Sequence, residues 1–485
     1  MLETKNTIDL QSTNIFRRSW SRVRVAVLPL PLSSYLSEVD SQMRIATPLI
    51  LAALVNMGMA ITDVIMMGWL GPVALAAGAV ASDMYSLVFY LCAGVVAAVS
   101  AIVSHARGAR QHRLIRRATQ QGFWAVILLS PPAALIVWQA PKLLILVGVP
   151  ATIIETAADY AAMMALTLLP MLGVAVWRQF LAAFADTRAV FRITLITLGL
   201  NALGNYVFMF GKLGFPSLGL AGAGLSSALC AAFMFAALTM YVVRHQTLAK
   251  YRLLVGILRP DWSRLAELFR LGLPIGVSNL GEMGVYLLST AVVGIFGVEA
   301  LAAHAVALRM AGVLYAFPLG LSQAATVRVG LATGAGNVSA RNLAARTALG
   351  IAFLAGTLVL LSVGFARHDI AAVFVNVNSS AASIASYAAL LLLVLAIMQI
   401  FEYVGTVAGG ALRGIKDTQV PMLMSVTAYW GVAMTIGLGL GFGLNQEALG
   451  IWAGLAGGAV TFCFLLLARM HYHGRYTRRI VETAA

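Results

Sequence analysis

Charge is scarce in this sequence, and cysteine scarcer. Of 485 residues only 18 are Asp or Glu, charged residues together make up 11%, and there are three cysteines. Cys92, Cys230 and Cys463 stand singly in apolar surroundings, which excludes a disulfide framework or cysteine metal motif and leaves them as small buried hydrophobes. No GxxxxGK[ST], HExxH or GxSxG occurs, so nothing marks a fused ATPase, a zinc hydrolase or a serine hydrolase, and the chain is not read as an enzyme. "GLAGAG" (Gly219 to Gly224) and "GLGLGFG" (Gly437 to Gly443) follow no strand and are close-packing glycines, not a nucleotide fingerprint. No strand pattern competes anywhere.

Hydrocarbon fills the space that charge leaves. Hydrophobic residues make up 60% of the chain and arrive in long runs, which marks an all-α polytopic membrane protein. Twelve spans are predicted, at 45–67, 76–102, 119–139, 159–180, 190–210, 219–242, 271–293, 300–325, 345–366, 382–410, 420–440 and 449–468. Pro131, Pro132, Pro170 and Pro318 fall inside spans, where neighbouring helices can satisfy the carbonyls they free.

The formal charge of +15 raises the question of a polyanionic partner, and its distribution answers it. On the side shared by both termini and the even-numbered loops lie 28 of the 33 Lys and Arg, including Arg107, Arg110, Arg113, Arg116 and Arg117 and the run from Arg244 to Arg270. Lys142, Lys212 and Arg367 are on the other side; Arg178 and Arg309 fall inside spans. The positive-inside rule then makes both termini cytoplasmic, and no nucleic acid is expected. Residues 1–43 are polar and basic, "VAVLPLPL" within them is broken by prolines and lacks a cleavage site, and they read as a cytoplasmic tail.

An internal repeat organises the chain. Residues 48–108 laid on 274–334, an offset of 226 without a gap, give 19 identities in 61 positions, including Pro48/Pro274, Gly94/Gly320 and Gly108/Gly334. A fainter match at offset 231 joins Asp186-Thr187 to Asp417-Thr418. The expectation is two pseudo-symmetric six-helix lobes around a central cavity: an N-lobe at 44–243, a basic linker at 244–270, a C-lobe at 271–469 and a cytoplasmic tail at 470–485.

The repeat also exposes where the lobes differ. "LVNMGMAITDVIMMG" in the first span holds Asp63 among apolar residues, and an unpaired charge at the centre of a bilayer costs about 2.5–3.5 kcal/mol on insertion scales. Asn56 aligns with Glu282 and Asp63 with Ser289, two turns apart on one helix face; Asn201 and Asn205 share a face of the fifth span, and Glu402 stands where the first lobe has Met171. Each lobe therefore carries its own intramembrane polar cluster. Met57 and Met67 belong to a methionine patch that packs in the core or, with Asn56, lines an adaptable pocket. Asp83 and Arg309 occupy equivalent positions with opposite sign and are read as snorkelling rather than paired, and His304 as packing rather than binding metal.

These residues, in this order, resemble the multidrug and toxic compound extrusion (MATE) transporters, most closely their NorM-like bacterial branch. The resemblance rests on "NMGMAITDVIMMGWLG", "LGLNALGNYVFMFGKLGFPSLGLAGAG", "GLPIGVSNLGEMG", "ALAAHAVALRM" and "FEYVGTVAGGALRGIKDT", and covers nearly the whole chain beyond the N-terminal tail. It implies a multi-pass protein of the bacterial inner membrane that exports organic, often cationic compounds in exchange for H⁺ or Na⁺, as a monomer with no ATPase subunit and no cofactor beyond the coupling ion. It implies that Asp63, Asn201 and Asn205 form the N-lobe coupling cluster, and that Glu282 and Glu402 serve the C-lobe site, Glu402 standing where the branch usually has Asp.

The chemistry can be stated without the family. A carboxyl group withdrawn from water can exchange its proton, and protonation removes its attraction for a cationic drug; alternatively, carboxylate and amide oxygens hold Na⁺ as hard ligands. An alternative reading, a flippase for lipid-linked saccharides, would want a cationic cavity for pyrophosphate, whereas the buried charges here are mainly acidic.

Overall fold

A computed structural model describes residues 31–143, 150–256, 259–374 and 381–483, so residues 1–30 of the expected tail lie outside the described part. Within it, apolar runs become helices as their length demands, since a helix satisfies every backbone polar group that lipid cannot. The helices are α1 (Leu32–Leu70), α2 (Pro72–Gly108), α3 (His112–Leu143), α4 (Ala151–Ala183), α5 (Arg188–Phe210) and α6 (Leu220–Arg244) in the N-lobe. In the C-lobe they are α7 (Trp262–Ile295), α8 (Val298–Gly334), α9 (Val338–Phe374), α10 (Ala381–Gly414), α11 (Gln419–Gly443) and α12 (Glu447–Thr483). The expected all-α architecture of two six-helix lobes is the observed one. Among the described residues eleven helices are long and apolar enough to cross a membrane; the twelfth, α7, is as long but carries Arg264, Glu267 and Arg270 at its start and Glu282 within.

Several helices outrun the predicted spans. The 39 residues of α1 reach about 58 Å, nearly twice the hydrocarbon thickness, so residues 32–43 continue the first span as helix. The linker between the lobes contains one 3₁₀ turn, Ala249–Tyr251, before α7 begins at Trp262. Pro48, Pro170, Pro274 and Pro318 are all retained inside their helices. In α11 the helix loosens into two π-helical stretches, Thr427–Ala433 and Gly439–Gly443.

The lobes meet along α1, α2, α7 and α8, and the meeting is one-sided. A Cβ on Gly108 would collide with the Leu331 carbonyl and one on Gly334 with that of His105; each pair is related to the other by the 226-residue offset. Gly94 against Gly276 and Gly320 against Ile50 repeat the pattern one step further in. These close approaches, to backbone at Gly94, Gly108 and Gly334 and to the Ile50 side chain at Gly320, all lie in the halves of the helices nearest the basic loops. Polar ties reinforce them there. Gln323 Nε2 donates to Ser100 Oγ (2.7 Å) and Gln179 Oε1 (2.6 Å), Gln42 Nε2 donates to the Ala344 carbonyl (2.7 Å), and Arg328 forks onto Glu38, which is buried.

On the other side the lobes diverge. Asp83 and Arg309, at matched depth in α2 and α8, are both exposed, and the arginine is the charge that acts on the carboxylate, yet no ion pair joins them. The molecule is thus sealed at its basic end and cleft at the other. A bulkier side chain at Gly334 should pry the seal: with the three cysteines replaced by alanine, Gly334→Val is expected to raise labelling of Ser104→Cys by a membrane-impermeant maleimide several-fold from the basic side. Equal labelling with and without Gly334→Val would contradict the account of the seal.

Candidate functional site

In the N-lobe the sequence-predicted cluster comes together. α5 turns Asn201 and Asn205 inward on one face, both buried, and Asn205 Nδ2 donates to Asp63 Oδ1 at 2.6 Å while Asn201 also bonds the carboxylate. The helix spacing allows this because Ser226 of α6 packs over Gly204, its hydroxyl donating to the Asn201 carbonyl (3.2 Å). The amide oxygens of Asn201 and Asn205 are buried and accept no hydrogen bond from the described residues. Buried acceptors beside a carboxylate are completed by a proton donor or a hard cation, so the cluster is built for either. Tyr160 of α4, fully buried with its hydroxyl 3.2 Å from Ser82 Oγ, lies within the field of Asp63; no motif marked it.

The three residues expected to line a cavity part company. Asn56 and Met57 are partly exposed, and a Cβ on Gly312 of the facing lobe would sit 3.6 Å from Met57 Cε, which puts Met57 at the narrow part of the cleft. Met67 does not line it. Its thioether is buried at 2% exposure in the groove left by Gly78 and beside Leu220, so it is core of the N-lobe, filling space that a glycine opened.

The C-lobe gathers Glu282 and Glu402 into one cluster. Glu402 on α10 is 2% exposed and receives the Tyr429 hydroxyl on both oxygens, at 3.0 and 2.8 Å. Glu282 on α7 is half-buried and is approached by the Tyr315 hydroxyl at 3.5 Å. The two carboxyl groups act on each other electrostatically, and the Arg413 guanidinium acts on Glu282 while its Nη2 donates to Ser322 Oγ at 2.6 Å. Tyr429 reaches Glu402 from the first π-helical stretch of α11, and the next residue, Trp430, donates to the Gly281 carbonyl at 2.9 Å. A π turn shifts the register of the residues around it, and such turns recur at functional sites; apolar periodicity carries no trace of one.

His304 is clamped. Trp452 Nε1 donates to His304 Nδ1 (3.0 Å), which leaves His304 Nε2 to donate to Thr290 Oγ1 (2.9 Å), a neutral tautomer with both nitrogens occupied. Among the described residues no group of three His, Cys, Asp or Glu is placed to hold a metal ion.

The Asp63–Asn205 bond should be measurable as a coupling. Asn205→Leu is expected to cost on the order of 1–3 kcal/mol of stability in detergent by leaving a buried acceptor unmade, and clearly less in an Asp63→Leu background. Additive losses in the double-mutant cycle would mean that the two side chains do not depend on each other.

The MatE family pattern matches residues 48–207 and 274–438, one match in each lobe. A probable multidrug resistance protein NorM of Mesorhizobium japonicum is 35% identical over 444 residues, 90% of this chain and 95% of the relative. One of the same name from Pseudomonas putida is 36% identical over 439 residues, 88% and 94% of the two chains. Among solved structures, a eukaryotic MATE transporter superposes with a TM-score of 0.83 at 22% identity, covering 92% of this chain and all of its own. A multidrug resistance MATE family transporter described as outward-facing gives 0.82 at 19% identity, covering 92% and 97%. At those identities the structural likeness concerns the fold alone.

Proposed function

The chain belongs to the MatE family of multidrug efflux transporters, and on that premise we propose that it exports amphipathic organic cations in exchange for H⁺ or Na⁺ by alternating access. The observation that carries the reading is the pairing of two buried acid clusters with a one-sided seal. Asp63 is held by neutral amides, Glu402 by a phenol, and the lobes that carry them approach backbone to backbone near the basic loops. By the positive-inside rule that sealed end faces the cytoplasm of a bacterial inner membrane, so this arrangement is the outward-facing one.

The two lobes rock about the contacts between α1, α2, α7 and α8. Rotation that closes the far mouth brings Asp83 toward Arg309 and breaks the ties from Gln323 to Ser100 and Gln179 and from Arg328 to Glu38. Outward opening admits the coupling ion to the carboxylates, which weakens their hold on a cationic drug, and the drug leaves. Return to the inward-facing state releases the ion and restores the negative charge that attracts the next drug. This is thermodynamic linkage, in which drug and ion differ in affinity between the two states, and the membrane potential adds about 2.3 kcal/mol per charge per 100 mV.

Efflux of ethidium from an export-deficient bacterium tests the proposal, with Na⁺ and pH varied independently and Asp63→Asn, Glu282→Gln and Glu402→Gln compared with wild type. Each variant is expected to lower the initial efflux rate at least tenfold. Export that follows pH without Na⁺ assigns the proton, and export that needs Na⁺ at fixed pH assigns the sodium ion. Wild-type rates in all three variants would rule the acids out as the coupling groups.

A further inference from the structure

The two lobes are finished differently at the basic end. In the N-lobe the angle between α3, α4 and α6 is filled twice over. Phe180 and Phe184 of α4 pack there with ring centroids 4.8 Å apart, and the linker returns over them, with Tyr251 5.1 Å from the Phe184 ring. Leu248, Tyr251 and Leu253 of the linker are buried in one core cluster with Ile115 and Phe180, and Gln120 Nε2 donates to the Leu253 carbonyl at 2.8 Å. The equivalent place in the C-lobe is an open groove.

The repeat locates that groove residue by residue. Ile115 corresponds to Arg341 at the 226 offset, and the backbone agrees, since Ile115 N donates to the Gln111 carbonyl as Arg341 N does to that of Asn337. At the 231 offset Phe180 becomes Ala411 and Phe184 becomes Ile415. α12 runs on as helix to Thr483, whereas α6 stops at Arg244 and yields to the linker. What remains is walled by Arg341 and Ala345 of α9, Ala411 and Ile415 of α10, and Met470 and His473 of α12. A guanidinium stands where the other lobe has an apolar side chain, and a methyl group where it has a ring.

Charge and position select the occupant. Arg341 is half-buried, and among the described residues its guanidinium reaches one acceptor, Oδ1 of the adjacent Asn342, to which Nε and Nη2 donate at 3.4 and 3.3 Å. The carboxylate beside His473 is that of Asp417, already taken by Arg469 Nε at 2.8 Å and His473 Nε2 at 2.7 Å. The Arg341 fork therefore has donors left for an anion. Ile415 follows Ile397 by about five whole turns of α10, and Ile397 and Leu390, at 46% and 42% exposure, face lipid, so the groove opens on the lipid side. Residues 1–30, the longest segment outside the described part, carry five basic residues against two acidic and match it poorly.

We propose that this groove binds the phosphate of an anionic phospholipid from the leaflet at the sealed end, with Arg341 holding the phosphate and Ala411, Ile415 and Met470 receiving the glyceride. The lipid covers the ends of α9, α10 and α12 as the linker covers those of α3, α4 and α6. The site lies outside the cleft and does not depend on what the cleft transports.

Native mass spectrometry of the full chain, titrated with phosphatidylglycerol and separately with phosphatidylcholine of the same acyl chains, tests the site. Wild type is expected to bind the first phosphatidylglycerol about fivefold more tightly, the increment that one basic residue supplies at an anionic surface. Arg341→Gln is expected to remove that preference, Arg341→Lys to keep part of it, Ala411→Phe to lower phosphatidylglycerol binding by refilling the groove, and Arg346→Gln, exposed further along α9, to leave the preference as it was. A preference unchanged by Arg341→Gln would overturn the site, as would displacement of the lipid by an equal concentration of inorganic phosphate. Ala345→Cys carrying a benzophenone, in a chain whose three native cysteines are replaced by alanine, identifies the occupant in phosphatidylglycerol-containing nanodiscs even if the arginine variants do not fold. A phospholipid adduct is expected; a cross-link to residues 1–30 or to a second copy of the chain in its place would overturn the proposal.

Discussion

Asp63, Glu282 and Glu402 sit inside helix bundles with amides and phenols as their hydrogen-bond donors, and only Glu282 has a fixed positive charge, Arg413, acting on it. A carboxylate so placed is neither neutralised by a tight ion pair nor free to be solvated by bulk water. On the proposed function, its charge state is decided by whatever enters the cleft, be it proton, metal cation or drug. In the export reading proposed above, the rest of the architecture serves to deliver those entrants from one side at a time.

Delivery depends on how the lobes touch. Backbone meets backbone at Gly94 and Gly276, and reciprocally around Gly108 and Gly334, beside a small buried apolar cluster of Ile45 and Leu49 with Leu321 and Val407. The polar ties around Gln323 and Arg328 fasten this contact with groups that the aqueous side can solvate once they part. Most of the core lies within the lobes, with Trp177 and Phe180 in one and Trp452 and Tyr429 in the other, and the smaller cluster at Ile45 and Leu321 crosses between them. The repeat makes the hinge nearly symmetric, while the polar residues break that symmetry and give the lobes different ligands.

Much of this was legible in the residues alone, for identifiable reasons. Hydrophobic runs foretold the helices, because lipid permits few alternatives, and the placement of arginine supplies the expectation for their sidedness. The offset of 226 disclosed the lobes, while only the packing shows that the aligned glycines are where they touch. Asp63 with Asn205 could be anticipated from helix spacing and the cost of an intramembrane acid. Tyr160, Tyr315 and Tyr429 could not, since a tyrosine in a span looks the same whether it bonds an acid or faces lipid, and Tyr429 arrives through a π turn that leaves no sequence period. Met67 misled for a related reason: a methionine beside a glycine on another helix is core, and only the packing tells it from a lining residue.

The claim that these acids exchange an ion for a drug is tested most directly in proteoliposomes holding a pH-sensitive dye or radioactive Na⁺, with a gradient of tetraphenylphosphonium imposed across the membrane. The account predicts ion flux opposite to the drug, at a fixed ratio, in wild type and none in a variant carrying Asp63→Asn, Glu282→Gln and Glu402→Gln together. Drug movement without counterflow in wild type, or counterflow that survives in the triple variant, would contradict it.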